Sequence, residues 1–260
     1  MFLTVTLFVV CLSSTIASSS GSYSTSCTCT QASVNGTFCW TWTCQTNQVT
    51  KCFAGDATVE LSKTKQRKTM RNLNIGDEIL VNINEQGKRI YEPIYGFIHA
   101  NHNGIYDYLK ITVENNFQQQ PLIISSNHLI FRFNQTKPCF AGHLKIDDQL
   151  QVISNDGISQ AGSIVDIRLI KSQGFYAPLT HSGKLIVDGI LVSNYAVVAN
   201  HQLAHLVIQP YRWWISILGS SSYSENIQCY FQFLYTFVEK INKWLFSIDL
   251  YDGHIFISSL

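Results

Sequence analysis

Short apolar runs separated by turns dominate residues 52–212 and limit what this chain can fold into. Runs such as residues 57–61 and 78–83 alternate apolar with polar side chains, which is the period of a half-buried strand. Turn residues such as Asn103-Gly104 and Asn155-Asp156-Gly157 separate the runs. Many short strands with frequent turns predict an all-β domain over residues 52–212.

The chain opens with an apolar run over residues 2–12, and small residues suited to cleavage follow near Ala17 or Ser18. This run has the length of a signal peptide and is short for a membrane span. We therefore expect residues 1–18 to be a cleaved signal peptide, with a membrane anchor as the alternative. The mature protein would then be secreted through the endoplasmic reticulum, an oxidising compartment.

Four cysteines lie in residues 19–51, a segment rich in serine and threonine and too small for a hydrophobic core of its own. Disulfides among these four are the expected source of order, and a zinc knuckle is the alternative. Loss of Cys11 with the signal leaves seven of the eight cysteines, an odd number. If Cys52 is a reactive thiol, the other six could pair, in a connectivity that the sequence leaves open. The four clustered cysteines are Cys27, Cys29, Cys39 and Cys44.

Residues 213–260 have a different pattern, because apolar side chains between Tyr230 and Leu245 recur at helical spacing. This pattern predicts a C-terminal helical appendage. The appendage either packs on the β-domain or contacts lipid or a membrane surface. Glu239, Lys240 and Lys243 argue against a membrane span.

Charge and motifs exclude several other functions. The net charge is +1, from 18 basic and 17 acidic side chains, so nothing favours nucleic acid as a partner. His201 and His205 lie four positions apart and could bind a metal from one helix face, but packing is the expected role of this pair. We see no phosphate-binding loop or haem motif, and we predict no cofactor.

Three residues could carry chemistry. Cys52 could attack the carbonyl carbon of Lys51 and convert the amide into a thioester, and a structural thiol is the alternative. Ser125 and His128 lie three positions apart in a turn between two strand-like runs. A hydroxyl and an imidazole at this spacing can face one reacting carbonyl, and the imidazole can protonate the leaving amine.

Taken in order, the motifs of this region resemble the autoprocessing region of hedgehog proteins, the Hint module that they share with inteins. The resemblance covers residues 52–212. It implies a pseudo-symmetric β-fold and an N–S acyl shift at the Lys51–Cys52 bond, after which a second nucleophile resolves the thioester. In hedgehog proteins that nucleophile is cholesterol. The blocks that carry the resemblance are residues 52–59, 73–80, 125–131, 149–152, 177–183, 193–198, 203–205 and 210–212.

Site residues follow from the resemblance by position. Cys52 becomes the attacking thiol, Ser125 replaces a threonine of the family, and His128 matches its catalytic histidine. His99 falls where hedgehog proteins have an aspartate that activates the sterol hydroxyl. An imidazole could also act as that base, or His99 could be an ordinary half-exposed strand histidine. Asn194 stands where hedgehog proteins have a cysteine.

The preferred hypothesis is a secreted, single-turnover enzyme that cleaves its own chain and releases residues 19–51, a cysteine-rich peptide without likeness to the hedgehog signalling domain. A sterol or other lipid would resolve the thioester, and residues 213–260 take the place of the family's sterol-recognition region. Water as the second nucleophile would make the chain a simple peptide precursor. The alternative from another class is a non-catalytic secreted binding module with a degenerate Hint fold.

Overall fold

The computed structural model describes residues 25–32, 39–46, 52–116, 118–154, 158–196 and 253–257. These residues form fifteen β-strands and two short 3₁₀ helices. The predicted signal peptide, Lys51 and the predicted helix between Tyr230 and Leu245 lie outside these residues. The elements are β1 (Thr25–Ala32), β2 (Cys39–Thr46), β3 (Thr58–Glu60), β4 (Arg67–Thr69), η1 (Met70–Asn72), β5 (Glu78–Ile83), β6 (Arg89–Pro93), β7 (Gly96–Asn115), β8 (Gln118–Ile124), β9 (His128–Ile130), β10 (Cys139–Phe140), η2 (Ala141–His143), β11 (Gln149–Ile153), β12 (Ser159–Leu179), β13 (Lys184–Val187), β14 (Ile190–Ala196) and β15 (His254–Ile257).

The prediction of an all-β fold is confirmed. The described part of the chain is mostly strand, and it contains no helix long and apolar enough to cross a membrane. Within the tail for which a helical appendage is predicted, the described residues form strand β15. The largest sheet has the order β10-β9-β14-β11-β12-β7-β8, with β13 paired to β14.

The two longest strands of this sheet, β7 and β12, are antiparallel neighbours. They pair from Ser163 opposite Glu114 to Leu179 opposite Gly96. The predicted turn at Asn103-Gly104 is wrong, because these residues lie inside β7. Gly104 has a φ of +91°, and the ladder shifts its register nearby, between Gln173 and Phe175. The glycine therefore bends a continuous strand at an irregularity instead of ending it.

The two halves of the domain repeat the same local structure. In each half a 3₁₀ helix is followed by a buried leucine, Leu73 or Leu144, and then by a turn that leads into a strand, β5 or β11. Asp77 and Asp148 close these turns, because each Oδ2 accepts a backbone N–H three residues earlier, at 2.8 and 2.9 Å. This repetition gives the pseudo-symmetry that the resemblance implies.

Long-range contacts repeat as well. The Asp77 carbonyl oxygen accepts the N–H of Ile94 at 2.9 Å, and the Asp148 carbonyl accepts that of Ile164 at 2.9 Å. Both isoleucines are buried, Ile94 two residues before the long strand β7 and Ile164 within the long strand β12. The residues before the two aspartates, Gly76 and Asp147, both have positive φ, at +90° and +70°. The two halves thus share one turn geometry despite different residues.

The cysteine-rich segment forms hairpin β1–β2, and β15 completes it into a three-stranded sheet. Disulfides Cys27–Cys44 and Cys29–Cys39 close the hairpin, so the predicted disulfides are present in place of a zinc knuckle. They agree with an oxidising compartment. Cys139 carries a thiol, so the pairing of all six other cysteines does not occur.

Candidate active site

The first residues of the β-domain, Cys52 and Phe53, lie in its core. Cys52 and Phe53 are both 0% exposed, and Cys52 belongs to neither disulfide. The Phe53 N–H donates to the carbonyl oxygen of Tyr176 at 2.9 Å, and the Tyr176 N–H donates to the carbonyl oxygen of Phe53 at 3.0 Å. Phe53 also bridges to Ile124 at the end of β8. This pairing fixes the peptide unit at Cys52 between two strands of the main sheet.

Ser125 holds the Cys52 backbone from both sides. The Cys52 N–H donates to Ser125 Oγ at 3.0 Å, and the Ser125 N–H donates to the Cys52 carbonyl oxygen at 3.2 Å. The Cys52 nitrogen is the nitrogen of the Lys51–Cys52 peptide bond. The hydroxyl that sequence analysis places at the site therefore contacts that bond directly.

His128 is fully buried at the start of β9, and its backbone N–H closes the turn onto the Ser125 carbonyl at 3.1 Å. Its ring lies 4.3 Å, centre to centre, from the ring of Phe53. Nε2 lies 2.8 Å from the carbonyl oxygen of Ser193. A carbonyl oxygen only accepts, so Nε2 carries the hydrogen and donates it.

The tautomer of His128 decides what its other nitrogen can do. Burial lowers the pKa of His128 to about 4, with the Ser193 carbonyl acting in the opposite direction, so the ring is neutral at pH 7. With hydrogen on Nε2, Nδ1 carries a lone pair. Nδ1 is buried and has no hydrogen-bond partner among the described residues. It is therefore a base that can receive a proton.

The buried polar side chains of the described chain are concentrated around this turn. Burial of a polar group is costly unless it finds a partner, so such a concentration needs a reason other than packing. All of them come from the 125–128 turn, the end of β14 and the residue after β12. They are Ser125, Ser126, Asn127, His128, Thr180, Ser193 and Asn194.

Asn194, which stands where hedgehog proteins have a cysteine, has a structural role. Its Nδ2 donates to Thr180 Oγ1 at 3.0 Å, and its backbone N–H donates to the Gly183 carbonyl at 2.9 Å. Thr180 Oγ1 in turn donates to the Lys184 carbonyl at 2.7 Å. These bonds tie β14 to the turn before β13 and hold the Ser193 carbonyl in place for His128.

His99 is separated from the other predicted site residues. It lies on β7, where its ring packs edge-on against Phe175 at 5.3 Å between ring centres. The neighbouring Ala100 pairs with Tyr176, which pairs with Phe53. His99 is thus two strand spacings, about 10 Å, from the Cys52–Phe53 segment. The structure brings Cys52, Ser125 and His128 together and places His99 at a distance.

Two contributors to the site have no signal in the sequence. The Ser193 carbonyl fixes the His128 tautomer. Every residue type has a backbone carbonyl, so the residue type at position 193 does not indicate this role. Tyr108 is buried, and its hydroxyl lies 2.6 Å from the Gly174 carbonyl oxygen and 3.5 Å from the carbonyl oxygen of Phe53, the residue after Cys52. Burial raises the pKa of Tyr108, and the charge of a Cys52 thiolate raises it further, so the phenol stays a neutral donor.

No group of three His, Cys, Asp or Glu side chains within the described ranges could hold a metal ion. The site consists of a thiol, a hydroxyl, a neutral imidazole and backbone carbonyls. Its fold and geometry define the class: a pseudo-symmetric β-domain that buries its first cysteine beside a hydroxyl and a base, at the peptide bond that joins it to the preceding segment.

Comparison with known proteins gives the family within this class. The chain belongs to the Hint module family, whose sequence model matches residues 42–244. It is 30% identical over 168 residues to the Tiggy-winkle hedgehog protein of Danio rerio, which covers 62% of this chain and 39% of that protein. It is 28% identical over 175 residues to the Indian hedgehog protein of Gallus gallus, covering 65% of this chain and 42% of that protein.

This chain therefore spans about two fifths of the length of these relatives. Among solved structures, the gp41-1 intein is similar with a TM-score of 0.43 and 18% identity, over 55% of this chain and 97% of the intein chain.

Proposed function

We propose that this chain cleaves its own backbone between Lys51 and Cys52 by an N–S acyl shift. One observation carries the proposal: the buried N–H of Cys52, which belongs to the Lys51–Cys52 peptide bond, donates a hydrogen bond to Ser125 Oγ. The neutral His128 lies in the same turn as Ser125. Membership of the Hint module family supports the same chemistry. The disulfide-bonded hairpin before Cys52 supports secretion of the protein.

The acyl shift moves one proton and exchanges one bond for another. Cys52 Sγ–H gives its proton to His128 Nδ1 while the sulfur attacks the Lys51 carbonyl carbon. The carbon–nitrogen bond then breaks, and the imidazolium returns the proton to the Cys52 nitrogen as it leaves. An imidazolium of pKa about 4 is a strong acid, which suits protonation of a poor leaving group. The products are a Lys51 thioester on Cys52 and a free Cys52 amine.

A second nucleophile completes the reaction. A sterol or other lipid hydroxyl, or water, attacks the thioester carbon and releases the Cys52 thiol, leaving an ester or a free acid on Lys51. Because Cys52 is fully buried, either nucleophile needs a local opening to reach the carbon. His99 is the proposed base for that second step. Because it lies on β7 about 10 Å from the Cys52–Phe53 segment, the same local opening must also bring its imidazole within hydrogen-bond reach of the attacking hydroxyl.

The test is the intact mass of the N-terminal fragment secreted by cells that express the full chain. We expect a fragment ending at Lys51. The mass of the free acid identifies water, and an excess equal to a sterol less one water identifies lipidation. A chain that stays full length under reducing and non-reducing conditions refutes self-cleavage and favours the non-catalytic binding module.

A substitution at Ser125 tests its contact with the peptide bond. Ser125→Ala removes the oxygen that accepts the buried Cys52 N–H. Loss of a contact of about 1–3 kcal/mol that persists to the transition state corresponds to roughly 5- to 150-fold slower cleavage, which is the expected result. Ser125→Thr keeps the hydroxyl and should cleave at close to the wild-type rate. The time course of fragment formation on reducing gels measures both. Equal rates for alanine and wild type would exclude a role for the hydroxyl.

A further inference from the structure

The segment before the cleavage site and the end of the chain share one sheet. Strand β2 lies in the centre of the three-stranded sheet, with β1 on one side and β15 on the other. The antiparallel register runs from His254 opposite Gln45 to Ile257 opposite Trp42. β2 precedes the Lys51–Cys52 bond and β15 follows it, so this pairing joins the two future cleavage products.

One face of this sheet belongs to the core of the domain. Ile255 and Ile257 are 0% and 1% exposed, and Cys44, opposite Ile255, is 0% exposed. All three belong to the same apolar cluster as Phe53. Strand β15 also lies against η2, and the Lys145 ammonium sits 4.8 Å from the centre of the Phe256 ring. β15 is thus anchored in the β-domain while it pairs with the hairpin.

The hairpin has its own cross-links on the N-terminal side of the bond. Both disulfides, Cys27–Cys44 and Cys29–Cys39, join β1 to β2 and include no residue after Cys52. Neither these two disulfides nor the pairing of β2 with β15 includes the Lys51–Cys52 bond.

We propose that β15 is a docking strand that retains the N-terminal fragment after self-cleavage. The product is then a non-covalent complex of two chains, in which the C-terminal fragment adds a strand to the edge of the disulfide-bonded hairpin. This inference rests on the proposed cleavage. It differs in its outcome, because cleavage alone would release the fragment.

The experiment separates retention from cleavage. Full-length protein is allowed to cleave and is passed over a size-exclusion column under native, non-reducing conditions. We expect both fragments in one peak, and their separation on a non-reducing denaturing gel shows that no disulfide links them. Fragments in separate peaks would overturn the proposal. If the chain does not cleave itself, a protease site placed within residues 47–51 allows the same test, so failure of cleavage is distinguished from failure of retention.

Two matched variants locate the docking contact. Ile255→Asp puts a carboxylate into the buried face and should separate the fragments. His254→Asp puts the same group on the exposed neighbour in the same strand and should leave them together. Ile255→Asp that still co-elutes would refute the role of β15. If that variant does not fold, hydrogen exchange in the cleaved wild type replaces it: protection of amides in residues 254–257, whose strand pairs with β2 of the N-terminal fragment, supports the proposal, and their free exchange refutes it.

Discussion

Replacement of Cys52 by alanine is expected to leave the chain intact between residues 51 and 52. The acyl shift needs the sulfur as nucleophile, and a methyl group cannot attack a carbonyl. Loss of one buried sulfur atom leaves a small cavity that costs roughly 1 kcal/mol, so the domain should still fold. Reducing gels and intact mass should show only the full-length chain, where the wild type yields a fragment ending at Lys51.

Cys139 provides the matched control for this prediction. It is also a thiol, it is partly buried on β10, and burial raises its pKa. Cys139 pairs with Ile130 on β9 and has no part in the proposed proton transfer, so Cys139→Ala should cleave as the wild type does. A fragment ending at Lys51 from the Cys52→Ala chain would contradict the acyl shift. Loss of cleavage in Cys139→Ala alone would place the nucleophile elsewhere.

Much of the fold could be predicted because its strands are locally encoded. The run at residues 78–83 is strand β5, Glu78–Ile83, and the run at residues 57–61 contains strand β3, Thr58–Glu60. The long strands were harder, since only parts of β7 and β12 alternate. Their full length comes from pairing with each other, and a glycine such as Gly104 then lies in a strand instead of a turn.

In the candidate site, too, contacts between residues close in the sequence could be predicted, and contacts between distant residues could not be predicted from spacing. Ser125 and His128 belong to one turn, so their spacing brings them together. The resemblance, not the spacing, connects that turn with Cys52, and the structure places the two in contact. The partner of strand β15 lies about two hundred positions earlier, and nothing in residues 254–257 alone indicates β2. Helical spacing in the tail carries no information about such pairing.

Replacement of His128 by alanine is expected to slow cleavage by about 10²–10⁴-fold, the range for loss of a positioned acid–base group. The variant removes both the acceptor of the Cys52 proton and the donor to the leaving nitrogen. His143→Ala is the control, because His143 is a half-buried histidine that lies on η2, outside the turn at residues 125–128. Fragment formation over time on reducing gels measures both variants. A His128→Ala chain that cleaves at the wild-type rate would exclude the imidazole from the reaction.

The pH dependence of wild-type cleavage tests the protonation state of His128. Burial lowers its pKa to about 4, so the reactive neutral ring predominates at any pH above that value. Because the group must be neutral to accept the thiol proton, the rate should stay level as pH falls from 7 to 5. A tenfold loss per pH unit should appear only below about 4. An imidazole with the usual pKa of about 6.5 would instead lose rate from that point downward. A decline that begins near pH 6.5, present in wild type and absent in His128→Ala, would show that the ring is hydrated and not buried during the reaction.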